Sequence, residues 1–312
     1  MLGFAKLVAF VKVVECGSFT KAALVMGTAH SGLSRQVSEL EHEVGYRILA
    51  RNGRGVALTE PGRRLFDRAK QLIAAADAFE DEAKALRGVP VGTVTIGMPG
   101  SIATTLGARL LIAASRKFPE VKIRVVEGLS GAIEEMLAIG RVDFALYFTV
   151  PGQRKPAGVP LFESDLYLVG SAKQALLRQP SIELAQLETL RLILPGMPNS
   201  IRVAVEQAAA SLGIHTVVPY EADSLSTMKR AIEDADCFTV TSWDSVEREV
   251  NAGELAASRL VNPVLTRVLV LEASPQHALT IAAKVILEQT RTLVGKLLEH
   301  PGNRLRKAPE GS

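Results

Sequence analysis

Residues 17–45 read GSFTKAALVMGTAHSGLSRQVSELEHEVG, and the spacing of their apolar residues decides the N-terminal fold. Ser18 offers a hydroxyl that can cap a helix, Ala22, Ala23 and Met26 make its apolar face, and Gly27 breaks it. From about Ser31 a second row follows: Leu33, Val37, Leu40 and Val44 recur at i, i+4, i+7 and i+11, and Gly45 stands at the C′ stop. Two short helices joined by a tight glycine-containing turn, the second amphipathic, predict a helix-turn-helix.

Upstream, Phe4, Leu7, Val8, Val11 and Val14 predict a preceding helix closed by Gly17. Downstream, Tyr46–Leu49 and Val56–Leu58 flank Asn52-Gly53, the dipeptide that supplies the positive φ angles a tight hairpin needs. Arg51 and Arg54 border that turn, so the hairpin reads as a wing. Thr59, Glu60 and Pro61 then open a long helix: a capping hydroxyl, an acid at the positive dipole end, and a proline where its missing N–H costs nothing. Leu65, Ala69, Leu72, Ile73, Ala76, Phe79, Ala83 and Leu86 run along it as one stripe. A helix of roughly 25 residues spans about 38 Å, longer than a small domain requires. The stripe is expected to meet a partner helix; lying on its own domain is the alternative. Gly88-Val89-Pro90 ends the helix and marks the main domain boundary.

The remainder alternates strand and helix. Strands are expected at Thr93–Met98, Lys122–Glu127 and Asp143–Phe148, with helices at Ser101–Phe118 and Ser130–Ile139, an order that implies a parallel sheet. After Pro151–Pro160 the pattern repeats, with strands at Asp165–Val169, Arg191–Leu194, Thr216–Tyr220 and Cys237–Thr241 and helices at Ser200–Leu212, Leu225–Asp234 and Asp244–Ala252. A strand at Arg267–Leu271 and a last helix at Ala278–Leu298, returning to the first lobe, complete it. The reading is an α+β multidomain chain. Residues 1–62 form a winged helix-turn-helix and 63–89 a linker and dimerisation helix. Residues 90–300 form a bilobal α/β, periplasmic-binding-protein-like effector domain, with lobe I about 90–160 and 266–300 and lobe II about 161–265. Residues 301–312, with Gly302, Pro309 and Gly311, are expected to be a disordered tail.

Composition narrows the function classes. Met1 to Arg64 carries nine Lys and Arg against five Asp and Glu, whereas the whole chain has a net charge of only +3, so a basic head sits on a neutral body. Cys16 and Cys237 have neither disulfide nor zinc spacing, and each is expected to be a buried inert thiol rather than a redox sensor. No apolar run suits a membrane, so a soluble cytoplasmic protein is expected. The five histidines are scattered, and no nucleophile elbow, metal cluster, P-loop or dinucleotide fingerprint occurs. No catalytic residue, metal or cofactor is therefore expected. A transport-type solute-binding protein would explain the lobes but not the wing or the long helix.

The run Phe10-Val11, Gly17 to Ala23, Leu33 to Val37, Leu40-Glu41, Val44-Gly45, Arg51 and Leu58 to Gly62 resembles the DNA-binding domain of LysR-type transcriptional regulators. The rest resembles that family's co-inducer domain. Gly97 to Ser101, Pro198 to Arg202 and Ala222 to Lys229 look most like its nitrogen-assimilation-control-like subgroup. The resemblance implies a sequence-specific transcription regulator that binds an interrupted palindrome on double-stranded DNA as a dimer of dimers and bends it. Homodimers or tetramers through the linker helix are implied, and RNA polymerase is a candidate partner. Where the family commonly has Ser-Gln-Pro-Ala-Leu-Ser, this chain has Ala29-His30-Ser31-Gly32-Leu33-Ser34, which alters what could read the operator. Glu233-Asp234-Ala235-Asp236 likewise replaces a glycine-rich turn common in the second lobe.

His30, Ser31, Ser34, Arg35 and Ser38 fall opposite Leu33, Val37 and Leu40, and the resemblance puts Ser34 and Arg35 in the major groove. Arg51 and Arg54 would meet the backbone or minor groove from the wing. An α/β cleft binds ligands beyond the strand carboxyl ends, where helix N-termini favour anions. Met98, Gly100, Ser101, Ser130, Asn199 and Ser200 fall at such places, and Arg202 could pair a carboxylate if it faces inward. Plain helix capping would place the same residue types there. A small anionic effector is the expected ligand.

Overall fold

Leu33, Val37 and Leu40 are each at most 2% exposed, so the predicted apolar row is a core row. They belong to a computed structural model that describes residues 3–52, 55–85, 89–151, 157–234, 236–300 and 304–308. The chain divides into two units, Met1–Arg87 and Gly88–Ser312.

The first unit contains α1 (Phe4–Cys16), α2 (Phe19–Met26), α3 (His30–Val44), a hairpin of β1 (Leu49–Asn52) and β2 (Gly55–Leu58), and α4 (Glu60–Ala85). Ser18 caps α2 by accepting from Lys21 N–H, and Gly45 ends α3 with φ +77°. Ala29, which precedes α3, makes no side-chain cap. The hairpin is held to α3 by one carboxylate: Glu41 Oε1 accepts the backbone N–H groups of Ile48 and Leu49 at 2.9 and 3.1 Å. Thr59 Oγ1 donates to the Arg47 carbonyl and accepts from Gly62 N–H, tying the start of α4 to the base of the wing. A Cβ on Gly62 would lie 2.0 Å from the Ile48 carbonyl oxygen, so no side chain fits there.

The α4 stripe divides into two faces. Phe66, Ala69 and Ile73 pack into the core of the first unit, Phe66 meeting Phe10 edge-on at 6.1 Å, while Leu65, Leu72 and Phe79 are exposed. The reading that the stripe lies on its own domain thus holds for one side of the helix, and the other side is exposed. Because α4 packs on the helix-turn-helix, the compact unit runs through the predicted linker rather than ending at residue 62.

In the second unit, β3 (Gly92–Met98) pairs in parallel with β4 (Val121–Glu127) and β5 (Phe144–Thr149). Between β3 and β4 the helix predicted in one piece is α5 (Gly100–Ile102), a π turn at Ala103–Gly107, and α6 (Ala108–Lys117). α7 (Ser130–Ala138) joins β4 to β5. β6 (Val159–Ser171) is much longer than the strand read at Asp165–Val169. It is followed by β7 (Ser181–Glu183), β8 (Arg191–Leu194), α8 (Ser200–Leu212), β9 (Val217–Glu221), α9 (Leu225–Asp234), β10 (Thr239–Ser242), α10 (Glu247–Asn251) and β11 (Leu255–Val261). β12 (Thr266–Ala273), α11 (Ile281–Leu298) and β13 (Leu305–Lys307) close the chain.

The main sheet runs β4-β3-β5-β12-β6-β11-β7. β6 pairs with β12 over its first half and with β10 and β11 over its second. Phe162 joins the core of Val94, Phe144 and Leu269, whereas Leu166 and Leu168 join that of Leu192, Val205 and Val240. The lobe boundary therefore lies inside β6 near Asp165, a few residues beyond the predicted 160/161. Parallel β8 and β9 join lobe II through a bridge between Leu192 and Phe238. Ala282, Ala283, Ile286 and Leu287 of α11 pack into the lobe I core, as expected for a returning last helix.

The tail departs from expectation. Leu305–Lys307 pairs with Phe162–Ser164 of β6, and Ala308 is buried. Arg306 lies 2.6 Å from Asp165, and the Arg304 guanidinium sits 3.4 Å from the centre of the Trp243 indole. Backbone pairing, an ion pair and a cation–π contact together offset the entropy of ordering this segment. The helix expected at Asp244–Ala252 is instead a 3-10 turn, Trp243–Ser245, followed by α10. β11 falls outside the expected strands, because Ala256, Ala257 and Ser258 blur its alternation.

Candidate DNA-binding face and effector cleft

On α3, His30, Ser31, Arg35 and Ser38 are exposed and Ser34 is half-buried, all on the side away from the buried row. The His30 ring rests 5.8 Å from that of Phe19, which fixes the start of the helix against α2. Arg35 is 82% exposed and folds along its own helix to Glu39 at 2.8 Å. Glu39 is held below the usual carboxylate range by hydrogen bonds from Arg35 and Lys6. Lys6 reaches from α1 to Glu39 and Glu43 at 3.0 and 2.7 Å, bracing α3 against α1. The Arg51 side chain and the whole of Arg54 lie outside the described residues, so the tip of the wing is not placed.

In the second unit a cavity of about 590 Å³ opens between the lobes. Gly100 and Ser101 at the start of α5, Ser130 at the start of α7, and Asn199 and Ser200 at the start of α8 all line it, as the strand-to-helix connections predicted. Several also act within the fold: Ser130 Oγ accepts from Phe148 N–H at 3.1 Å, and Asn199 Oδ1 caps α8 through Ile201 N–H at 2.8 Å. Capping and cleft lining thus coincide at the same residues. Ser130, Phe148 and Ser200 also border a second cavity of about 620 Å³, so they form the partition between the two.

Two expected ligand residues lie elsewhere. Met98 is fully buried in the lobe I core, because the end of β3 points its side chain beneath the helix that follows. Arg202 is paired with Glu206 at 2.7 Å and Glu221 at 3.1 Å on the surface of lobe II. In the first turn of α8, it faces β9 rather than the cleft.

Two cations line the cleft, Lys229 on α9 and Arg267 on β12. Arg267 is 4% exposed, its guanidinium 3.5 Å from the centre of the Phe148 ring, with Nη2 donating to Ser242 Oγ at 2.6 Å. Its Nε is buried and has no partner among the described residues. Burial pushes its pKa down to about 10, against the opposing pull of Asp244, so it remains charged at neutral pH. A buried charge with an unused donor is costly unless something pairs with it. Glu249 also lines the cavity; burial would raise its pKa, but the Lys229 ammonium 2.9 Å from Oε1 outweighs this and holds it below the usual range. Its Oε2 is buried without a partner among the described residues. The sequence reading missed Arg267, Lys229 and Glu249; the available signal was an arginine heading the otherwise apolar run Val268–Leu271.

Cys237 is buried, and burial raises its thiol pKa, which suits an inert thiol; Cys16 is partly exposed. Among the described residues no helix is long and apolar enough to cross a membrane, and no group of three or more His, Cys, Asp or Glu could hold a metal ion.

Residues 4–63 match the model of the bacterial regulatory helix-turn-helix protein, lysR family, and residues 87–294 that of the LysR substrate binding domain. The nitrogen assimilation regulatory protein nac of Klebsiella aerogenes is 28% identical over 300 residues, covering 95% of this chain and 96% of nac. A full-length OxyR variant from Pseudomonas aeruginosa aligns with a TM-score of 0.72 at 20% identity, over 94% of this chain and 98% of that one. Full-length CbnR, solved in complex with its target DNA, aligns at 0.66 and 20% identity, over 93% of this chain and 99% of CbnR. These relatives are regulators, not enzymes. The two family matches, one on each unit, show that the chain belongs to the LysR family of DNA-binding transcription regulators.

Proposed function

We propose that this regulator reads an interrupted palindrome on double-stranded DNA with α3 and is switched by a small anionic effector held between the lobes of its second unit. The observation that carries the effector half is Arg267, a buried guanidinium that lines the cleft and is charged at neutral pH. Gly100, Ser101, Ser130, Asn199 and Ser200 border the same cavity, at helix starts whose N–H groups and dipoles favour negative charge. The volume of about 590 Å³ falls within the range of small-molecule sites.

On the DNA side, His30, Ser31, Ser34, Arg35 and Ser38 supply the polar face, and Arg51 and Arg54 supply wing contacts to the backbone or minor groove. CbnR, which shares the fold, was solved on its target DNA. Leu65, Leu72 and Phe79 lie seven residues apart on the exposed side of α4, the spacing of a helix-pairing seam. A homodimer through that seam, and a dimer of dimers beyond it, would set two recognition helices on successive half-sites. Effector binding shifts the lobes between two arrangements in proportion to its differential affinity for them, and the shift changes the DNA bend. RNA polymerase is the partner through which such a bend acts, and the cytoplasm is the compartment that holds both.

The test is a thermal-shift screen of the full chain against small anions and neutral metabolites, repeated with Arg267→Gln. Anions that raise the melting temperature of the wild type alone support the site. Stabilisation only by neutral compounds, or equally in both proteins, removes the anionic reading.

A further inference from the structure

We infer that Glu39 is a specificity-determining residue that holds the Arg35 guanidinium as a preset fork for a guanine in the major groove. This deepens the reading of α3 as the DNA-reading helix and rests on it. The groups concerned stand at the surface, where a duplex can reach them. Arg35 is 82% exposed, and its Nε donates to Glu39 Oε1 at 2.8 Å. Among the described residues that is the only bond its guanidinium makes, so Nη1 and Nη2 keep their N–H groups. Ser31 and Ser38, about one turn to either side, are exposed beside it. The O6 and N7 atoms of guanine accept two N–H bonds from one guanidinium, and no other base edge offers that pair of acceptors.

What separates Arg35 from a solvated arginine is the support behind its carboxylate. Glu39 Oε2 lies 3.0 Å from Lys6 Nζ on α1, and the same ammonium lies 2.7 Å from Glu43 Oε1. α1 is itself fixed to α3, since Ala9, Phe10 and Val13 share a core with Leu33, Val37 and Leu40. Both oxygens of Glu39 are thus occupied, one by Arg35 and one by a cation anchored on another helix. A guanidinium bonded only through Nε is fixed in direction while its outer edge stays open. On a matching site the bond to Glu39 is kept, so binding orders little that is not already ordered. On a random duplex Arg35 must leave Glu39 to lie against a phosphate, and the carboxylate it leaves offers the backbone nothing. Glu39 therefore helps the matching site and hinders the others.

Gel shifts with the full-length protein test the inference. The probes are the duplex that the protein enriches most from a random-sequence pool and the unselected pool itself, and the quantity read is the ratio of the two affinities. Glu39→Gln is expected to lower that ratio by about 3- to 10-fold, and to leave it unchanged once Arg35 is replaced by alanine. Each guanine of the selected duplex is then replaced in turn by 7-deazaguanine, which lacks the N7 acceptor. At least one position should cost the unaltered chain about tenfold and cost Arg35→Ala nothing. An unchanged ratio for Glu39→Gln, or an equal fall with and without Arg35, overturns the role of Glu39 while Arg35 stands as a base reader. No sensitive guanine, or equal sensitivity in Arg35→Ala, overturns the guanine fork. If Arg35→Ala leaves the ratio untouched, or no sequence is enriched, the reading of α3 fails and the inference with it. The guanine scan uses the unaltered chain, so it holds even if a variant folds poorly.

Discussion

Arg306 of the last strand lies 2.6 Å from Asp165 Oδ1, at the point where β6 passes from one lobe to the other. Asp165 is 5% exposed and also receives Arg259 of β11 at 2.6 Å and the Thr266 hydroxyl of β12 at 3.2 Å. Side chains from lobe II, lobe I and the tail thus converge on one carboxylate. Burial alone would raise its pKa, but the Arg306 and Arg259 guanidinia outweigh burial and hold it below the usual carboxylate range.

Because that pKa is depressed on folding, its stabilisation is complete above the unfolded carboxylate value, about 4, and is lost as pH falls through the folded value. Asp165→Asn is expected to melt below the wild type at neutral pH. The gap should close on acidification, measured by melting curves across an acid series. A gap of constant size would show that Asp165 contributes shape and not charge.

Arg306→Ala should destabilise the second unit modestly. Its guanidinium is 47% exposed, so screening leaves about 1 kcal/mol of the pair. Removing residues 304–312 deletes the strand and the Trp243 contact as well, and should cost more than the point change in denaturant titrations. Equal losses would mean that the strand itself adds nothing.

Arg35→Ala should weaken operator binding by about 1–3 kcal/mol while leaving the melting temperature near that of the wild type. The bond it loses in the free protein is an exposed one to Glu39. Gel shifts at fixed salt read the first quantity and thermal melts the second. Unchanged operator affinity would remove Arg35 from the recognition surface.

Gly62→Ala places a carbon 2.0 Å from the Ile48 carbonyl oxygen, so either the wing or the start of α4 must move. A loss of about 3 kcal/mol in the first unit is expected, together with weaker DNA binding. Hydrogen exchange at Ile48 and Leu49, whose amides Glu41 holds, should speed up; unaltered exchange would show that α4 moved and the wing did not.

Leu72→Glu and Phe79→Glu alter exposed positions of α4 and should spare the fold. Sedimentation at graded concentrations should show weaker self-association by at least about tenfold, as for a central interface anchor. If both variants stay as oligomeric as the wild type, the seam lies elsewhere.

Local spacing settled the helix-turn-helix by itself. Leu33, Val37 and Leu40 can be buried together only on a helix, and Gly45 ends it by tolerating a left-handed backbone. The same holds for Ser200–Leu212 and Arg191–Leu194, whose caps and apolar runs lie within a few residues of each other, and for the cleft positions of Ser101, Ser130 and Asn199, which follow from strand-to-helix connectivity. Tertiary structure decided what depends on partners far away in the chain. Arg267 faces a cleft because Phe148 and Ser242 hold it there, Arg202 does not because Glu206 and Glu221 claim it, and Leu305–Lys307 becomes a strand only because β6 leaves an edge open. Sequence alone determined which segments fold and on which face they are apolar, since those forces act between near neighbours. Which charges were paired off at the surface and which came to line the cleft was settled only when distant strands came together.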